Sequence, residues 1–209
     1  MTHASILNTS LLLLRQSRPM IVAAAFLPLP ALLATDRSEI ASLYLGMACA
    51  WLSSEMTRVA RMPTSRVAWC SMTLALMTAV FSITAFFIAL GISVNVQSNL
   101  PFPIMAFLSA IPAIGLVPWL MIRLEQQYMA LILSALIVGT AKIGGCAVAR
   151  IVYGPNFAVE GYISGDWTRA KLMISVFWTL TCAISLGLLL AGFLRPPGAR
   201  PSDLEKHRP

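Results

Sequence analysis

The chain is short of charge. Only 11% of its 209 residues are Asp, Glu, Lys or Arg, where a soluble domain of this size carries roughly 25%. Its two histidines, His3 and His207, stand at the extreme ends, so none is placed as an axial ligand for haem. With Glu39 counted in the connection before the second span, no Asp or Glu falls inside a predicted membrane span, which removes the carboxylates that proton relays use. A G-x-S-x-G elbow and a Walker A loop are both missing. The segment Gly139-Thr-Ala-Lys-Ile-Gly144 has glycines but lacks the required spacing and ending. Four cysteines (Cys49, Cys70, Cys146 and Cys182) lie within apolar runs and form no C-x-x-C pair, so they read as small buried hydrophobes rather than metal ligands. These absences point away from an enzyme. The expectation is a chain that binds no cofactor and no metal, has no catalytic residues and hydrolyses no nucleotide itself.

What the chain has in abundance is hydrophobicity, at 58% of residues. The apolar residues fall in runs at about 19–35, 38–53, 67–92, 102–122, 128–153 and 172–194. A spanning helix needs about 17–25 residues, so the last four runs qualify readily. The first two are short, and are read as spans extended by flanking residues with snorkelling arginines at their ends. Arg15 and Arg18 precede the first run as they would in a signal peptide, but no small-residue cleavage site comes after it, so the run is expected to be retained. The fold expected is an all-α integral membrane protein: one six-helix transmembrane domain over residues 1–195 and a polar tail over 196–209. Residues 6–14 place Leu7, Leu11 and Leu14 on one face and suggest a short interfacial helix, although an extension of the first span fits nearly as well. Pro112 and Pro118 are expected to kink or break the fourth span. The long connection 154–171, with Phe157, Tyr162 and Trp167 among glycines, suits a re-entrant or interfacial segment.

Charge sets the orientation. Arg15 and Arg18 precede the first run. Arg58, Arg61 and Arg66 outweigh Glu55 after the second, Arg123 comes after the fourth, and Arg195, Arg200, Lys206 and Arg208 crowd the tail. The alternate connections are poorer in cations, and no charge occurs from Gly91 to Pro101. The positive-inside rule therefore expects both termini in the cytoplasm and a plasma membrane (bacterial inner membrane) location. Trp51, Trp69 and Trp119 are expected in an aromatic belt at that side. The net charge of +7 flanks apolar segments and so speaks for the lipid bilayer as partner, not for nucleic acid.

Two groups of residues stand out. The first is the connection 55–66, Glu55-Met-Thr-Arg-Val-Ala-Arg-Met-Pro-Thr-Ser-Arg66. Arg58 and Arg61 would share a helical face. Pro63 would end that helix, and Thr64 or Ser65 would cap the next. The segment Met62-Pro63-Thr64-Ser65-Arg66, the six-span pattern, the interfacial helix and the long outer connection together resemble the permease subunits of type-2 ABC exporters. That resemblance implies that Glu55, Arg58, Arg61, Pro63, Ser65 and Arg66 belong to a coupling helix seated on a separate cytoplasmic ATPase subunit, which would carry the ATP and Mg. It also implies a homodimer, or a heterodimer with a related permease. The bland alternative for the same residues is a positive-inside loop with an ordinary helix cap.

The second group lies on the fifth run. Lys142 falls near mid-membrane, where a cation costs at least about 2.5–3.5 kcal/mol unless it faces protein or water. Arg150 lies further along on the same face, so the two are candidates for a substrate path. The alternative is that Lys142 snorkels and Arg150 pairs with Glu160 or Asp166. Ala141, Gly145 and Ala149 form a small-x-x-x-small stripe suited to helix packing. Two functions compete: a permease subunit of an ATP-driven exporter, and a non-transporting scaffold or assembly subunit of a larger membrane complex.

Overall fold

In the computed structural model, residues 3–34, 38–60, 65–93, 102–154 and 167–194 are described, apart from some side chains within the helices. They form helices α1 (His3–Gln16), α2 (Arg18–Phe26), α3 (Leu29–Ala34), α4 (Ser38–Val59), α5 (Arg66–Ser93), α6 (Phe102–Leu124), α7 (Gln127–Tyr153) and α8 (Trp167–Leu194). Among the described residues there is no strand.

Two helices are long and apolar enough to cross a membrane: α5, and α6 over Ala106–Leu124. The bent pair Ala4–Gln16 and Arg18–Leu33 makes a third if taken as one broken span. Within α7 and α8 the stretches Gln127–Val138 and Thr179–Leu194 are apolar but shorter. The chain is thus an all-helical protein with two or three clear apolar spans among its described residues, fewer than the six runs suggest. In α4 the apolar stretch lies between Glu39 and Ser53 and is interrupted by Ser42, so its length comes partly from polar turns.

Helix α1 is set apart from α2, with a bend of 59° between the two segments. Pro19 explains the bend: it has no N–H for the Arg15 carbonyl and its ring crowds that turn. Helix α6, by contrast, runs through both Pro112 and Pro118 without a break. Pro112 and Pro118 leave the Leu108 and Ile114 carbonyls without their helical N–H; separately, Ser185 Oγ of α8 donates to the Ile111 carbonyl at 2.9 Å.

The interior is apolar but carries many hydroxyls, and large apolar side chains also cover the exterior. Ser10, Ser17, Ser42, Ser53, Thr57, Ser71, Thr73, Ser134 and Ser185 are buried, while Leu33, Leu136, Leu190 and Leu194 are 60–76% exposed. Many buried hydroxyls bond back to their own helix, as Thr57 does to the Ser53 carbonyl and Thr73 to that of Trp69. Small hydroxyl-bearing residues inside and leucines outside are what hydrocarbon solvent favours, because lipid supplies no hydrophobic drive to hide leucine.

Helix α4 packs along α6, α8 against both α6 and α7, and α1 across α5. The larger core joins Leu45, Leu52, Trp69, Leu76, Ile83 and Phe87; a smaller one joins Leu116, Val117, Leu120, Met121 and Ala130. Two glycines allow the closest approaches. A Cβ on Gly115 would collide with the Ser185 backbone, and one on Gly192 would collide with the Trp69 ring. Trp69 is fully buried, and its indole N–H points to the Leu189 carbonyl at 3.4 Å. This corrects the aromatic-belt expectation for Trp69: the ring fills the groove that Gly192 opens, and its polar edge finds a partner there.

Ser65 begins α5 as expected, its Oγ accepting the Ala68 N–H at 3.2 Å. Ser65→Ala should cost about 1 kcal/mol, visible as a lower thermal unfolding midpoint in detergent.

Candidate functional site

The described ends of the 55–66 connection, which the sequence singles out, lie at one end of the bundle beside two other helix ends. The last turn of α4, the first turn of α5, the α6–α7 turn and the last turn of α8 are tied together there by side chains.

Glu55 is the centre. It lies in the last turn of α4 and is buried. Gln127, at the start of α7, donates from Nε2 to Glu55 Oε1 at 2.7 Å and to Ser54 Oγ at 2.9 Å. Ser54 Oγ in turn donates to the Trp51 carbonyl at 2.7 Å. On the outer side, Arg58 Nη2 stands 2.8 Å from Glu55 Oε2, with most of its own side chain exposed. A carboxylate taken from water at a helix end needs these donors, because burial without them is costly. Helix α4 continues through Glu55 and Arg58 to Val59, so these two residues do not begin a separate coupling helix. The physical reason is local: nothing between Leu52 and Val59 breaks a helix, and the first proline is Pro63.

Arg66 sits at the other side of this end. It is exposed, and its Nη2 donates to the Leu194 carbonyl at 3.0 Å. That carbonyl is among the last of α8, where unpaired acceptors and the helix dipole favour a cation. The guanidinium therefore joins the first turn of α5 to the last turn of α8. Arg123 lies over the Trp119 ring at 5.1 Å, a cation–π pair on the last turns of α6.

The α6–α7 turn is closed by Glu125 with φ of 55°, its N–H bonding the Met121 carbonyl at 3.0 Å. A residue with a Cβ pays roughly 1–2 kcal/mol for this left-handed geometry, and Asn tolerates it better. Glu125→Asn should raise the unfolding midpoint slightly and Glu125→Val should lower it, as thermal scans in one detergent would show.

Arg61 and Pro63 lie outside the described residues, as do the connection 155–166 and the tail 196–209. Lys142 and Arg150 are on α7, as are Ala141, Gly145 and Ala149, but their side chains are outside the described set. Among the described residues, no group of three or more His, Cys, Asp or Glu could hold a metal ion. Two residues are not signalled by the sequence, Gln127 and the buried role of Trp69. Gln127 carries no charge and belongs to no motif, so only a three-dimensional contact reveals it. No family model matches the chain, and neither a curated protein nor a solved structure matches it.

Proposed function

We propose that the chain is the membrane-spanning permease subunit of an ATP-driven exporter, and that the converging end faces a separate cytoplasmic ATPase. The observation that carries this reading is the convergence itself: Arg58 at the end of α4, Arg66 at the start of α5 and Arg123 at the end of α6 lie at one end of a bundle whose flanks carry exposed leucines. In this reading α1–α3 form the first, broken pass and α4 to α8 the other five. Helices of 22–28 residues reach roughly 33–42 Å against a hydrocarbon core of about 30 Å. Arg58 offers an exposed cation at that end, while Gln127 links the α4–α5 connection to the α6–α7 turn, so a push on one is passed to the other. Two copies, or one with a related permease, would enclose the path, with Lys142 and Arg150 of α7 facing an anionic substrate.

The scaffold reading draws on a different observation. Glu55 and Arg66 are both engaged within the chain, on Gln127 and on the Leu194 carbonyl, which suits a rigid subunit as well as a moving one. Gentle extraction from native membrane separates the two. A co-purifying ATPase whose hydrolysis rate changes when this chain is present supports the permease. Extraction without any ATPase, and with no effect on hydrolysis, contradicts it.

A further inference from the structure

We infer that the elbow between α1 and α2 is a binding site for an anionic phospholipid headgroup, with Arg15 and Arg18 as its cations. The inference rests on the membrane reading and goes beyond it by naming a lipid class and its contacts. Ser10 Oγ lies 2.9 Å from the Ser71 carbonyl and 2.8 Å from that of Ile6, with one proton for the two, which places α1 across the second turn of α5. Ser71 is five residues along α5 from Arg66, or about 7–8 Å. Helix α1 therefore crosses α5 close to the charged end, at the depth where apolar chains give way to headgroups. On α1, Leu7, Leu11 and Leu12 are exposed; past the elbow, Val22, Phe26 and Leu27 are exposed too. The elbow thus has outward apolar side chains on both arms and two exposed arginines at its corner.

The other described arginines at this end are engaged: Arg58 by Glu55, Arg66 by the Leu194 carbonyl and Arg123 by Trp119. Arg15 and Arg18 have neither acidic neighbours in sequence nor an ion pair among the described residues. A guanidinium fork matches a phosphate in a two-bond geometry. Acyl chains would lie along the leucines of α1 while the phosphate sits at the corner. A neutral headgroup offers the same phosphate but no net charge, so the site should discriminate.

The test uses the full chain in nanodiscs of phosphatidylcholine alone or with phosphatidylglycerol, comparing wild type, Arg15→Gln/Arg18→Gln and Arg58→Gln. Insertion into phosphatidylcholine discs reports the membrane reading separately. Wild type should retain phosphatidylglycerol through detergent exchange, counted by native mass spectrometry, and be thermally stabilised by it. The double variant should bind that lipid on the order of tenfold or more weakly, since each surface cation contributes comparably, while Arg58→Gln should bind it normally. Equal retention of both lipids by wild type would overturn the proposal, as would full retention by the double variant. Stabilisation by inorganic phosphate alone, to the same degree, would also overturn the lipid assignment. Should the double variant fail to fold, wild-type retention in rising salt decides: a site of this kind loses the anionic lipid first.

Discussion

Gly115→Ala will cost the bundle about 3 kcal/mol, the upper end of what overpacking does to a well-filled interior. The added methyl meets the Ser185 carbonyl and backbone carbon, and a backbone cannot rotate aside as a side-chain tip can. Relief requires α6 and α8 to part, and α6 is also the helix along which α4 packs. The loss should appear as a large fall in thermal midpoint in detergent. Gly187→Ala on α8 is the control, because a Cβ there meets nothing within 4 Å. It should be neutral or gain up to about 1 kcal/mol from helix propensity. A Gly115→Ala midpoint equal to that of Gly187→Ala would show that α6 and α8 do not make this close approach. Gly192→Ala should also destabilise, but through the Trp69 ring, so Trp69→Leu should relieve part of its effect.

Gln127→Ala will release the charged end. It removes the donor to both Ser54 and Glu55 and leaves a buried carboxylate with fewer partners. A hydrogen bond to a charged group contributes roughly 1.5–3 kcal/mol, and the loss should sit in that range. A double-mutant cycle between Glu55→Gln and Gln127→Ala should give a coupling above about 1 kcal/mol. The cycle between Glu55→Gln and Arg58→Gln should give about 0.5 kcal/mol or less, since the Arg58 side chain is 64% exposed and screened by water. The functional consequence separates the two proposed roles. In a permease, Gln127→Ala should leave the chain inserted while ATP hydrolysis by the partner loses its link to transport. In a scaffold, the complex should loosen without any such uncoupling.

Apolar runs made the helices legible, along with the cap at Ser65, because each depends on local chemistry; the separateness of α1 stayed open in the sequence, where its leucine face and a simple extension of the first run fit nearly equally well. The count of clear spans was less legible. Lipid and protein interior are both apolar, so a run of hydrophobic residues does not say which it faces, and α4 with its serines shows the difficulty. The burial of Glu55 was not legible for a related reason. Its place beside arginines reads as a solvated loop, yet Gln127, 72 residues away, draws it into the bundle. Trp69 likewise resembles a belt residue until Gly192 of α8 is seen to make room for it. Contacts of this length leave no periodic trace in a single chain.

The central claim is that a leucine-faced bundle carries its α4–α5 and α6–α7 connections on one side of a membrane. Single cysteines in a cysteine-free background test it directly: Ala60→Cys and Gln126→Cys at those connections, and Leu136→Cys on the exposed apolar flank of α7. In sealed inside-out vesicles a membrane-impermeant maleimide should label the first two and spare the third, and in intact cells it should label none. Labelling of positions 60 and 126 from opposite sides, or ready labelling of position 136, would contradict the account.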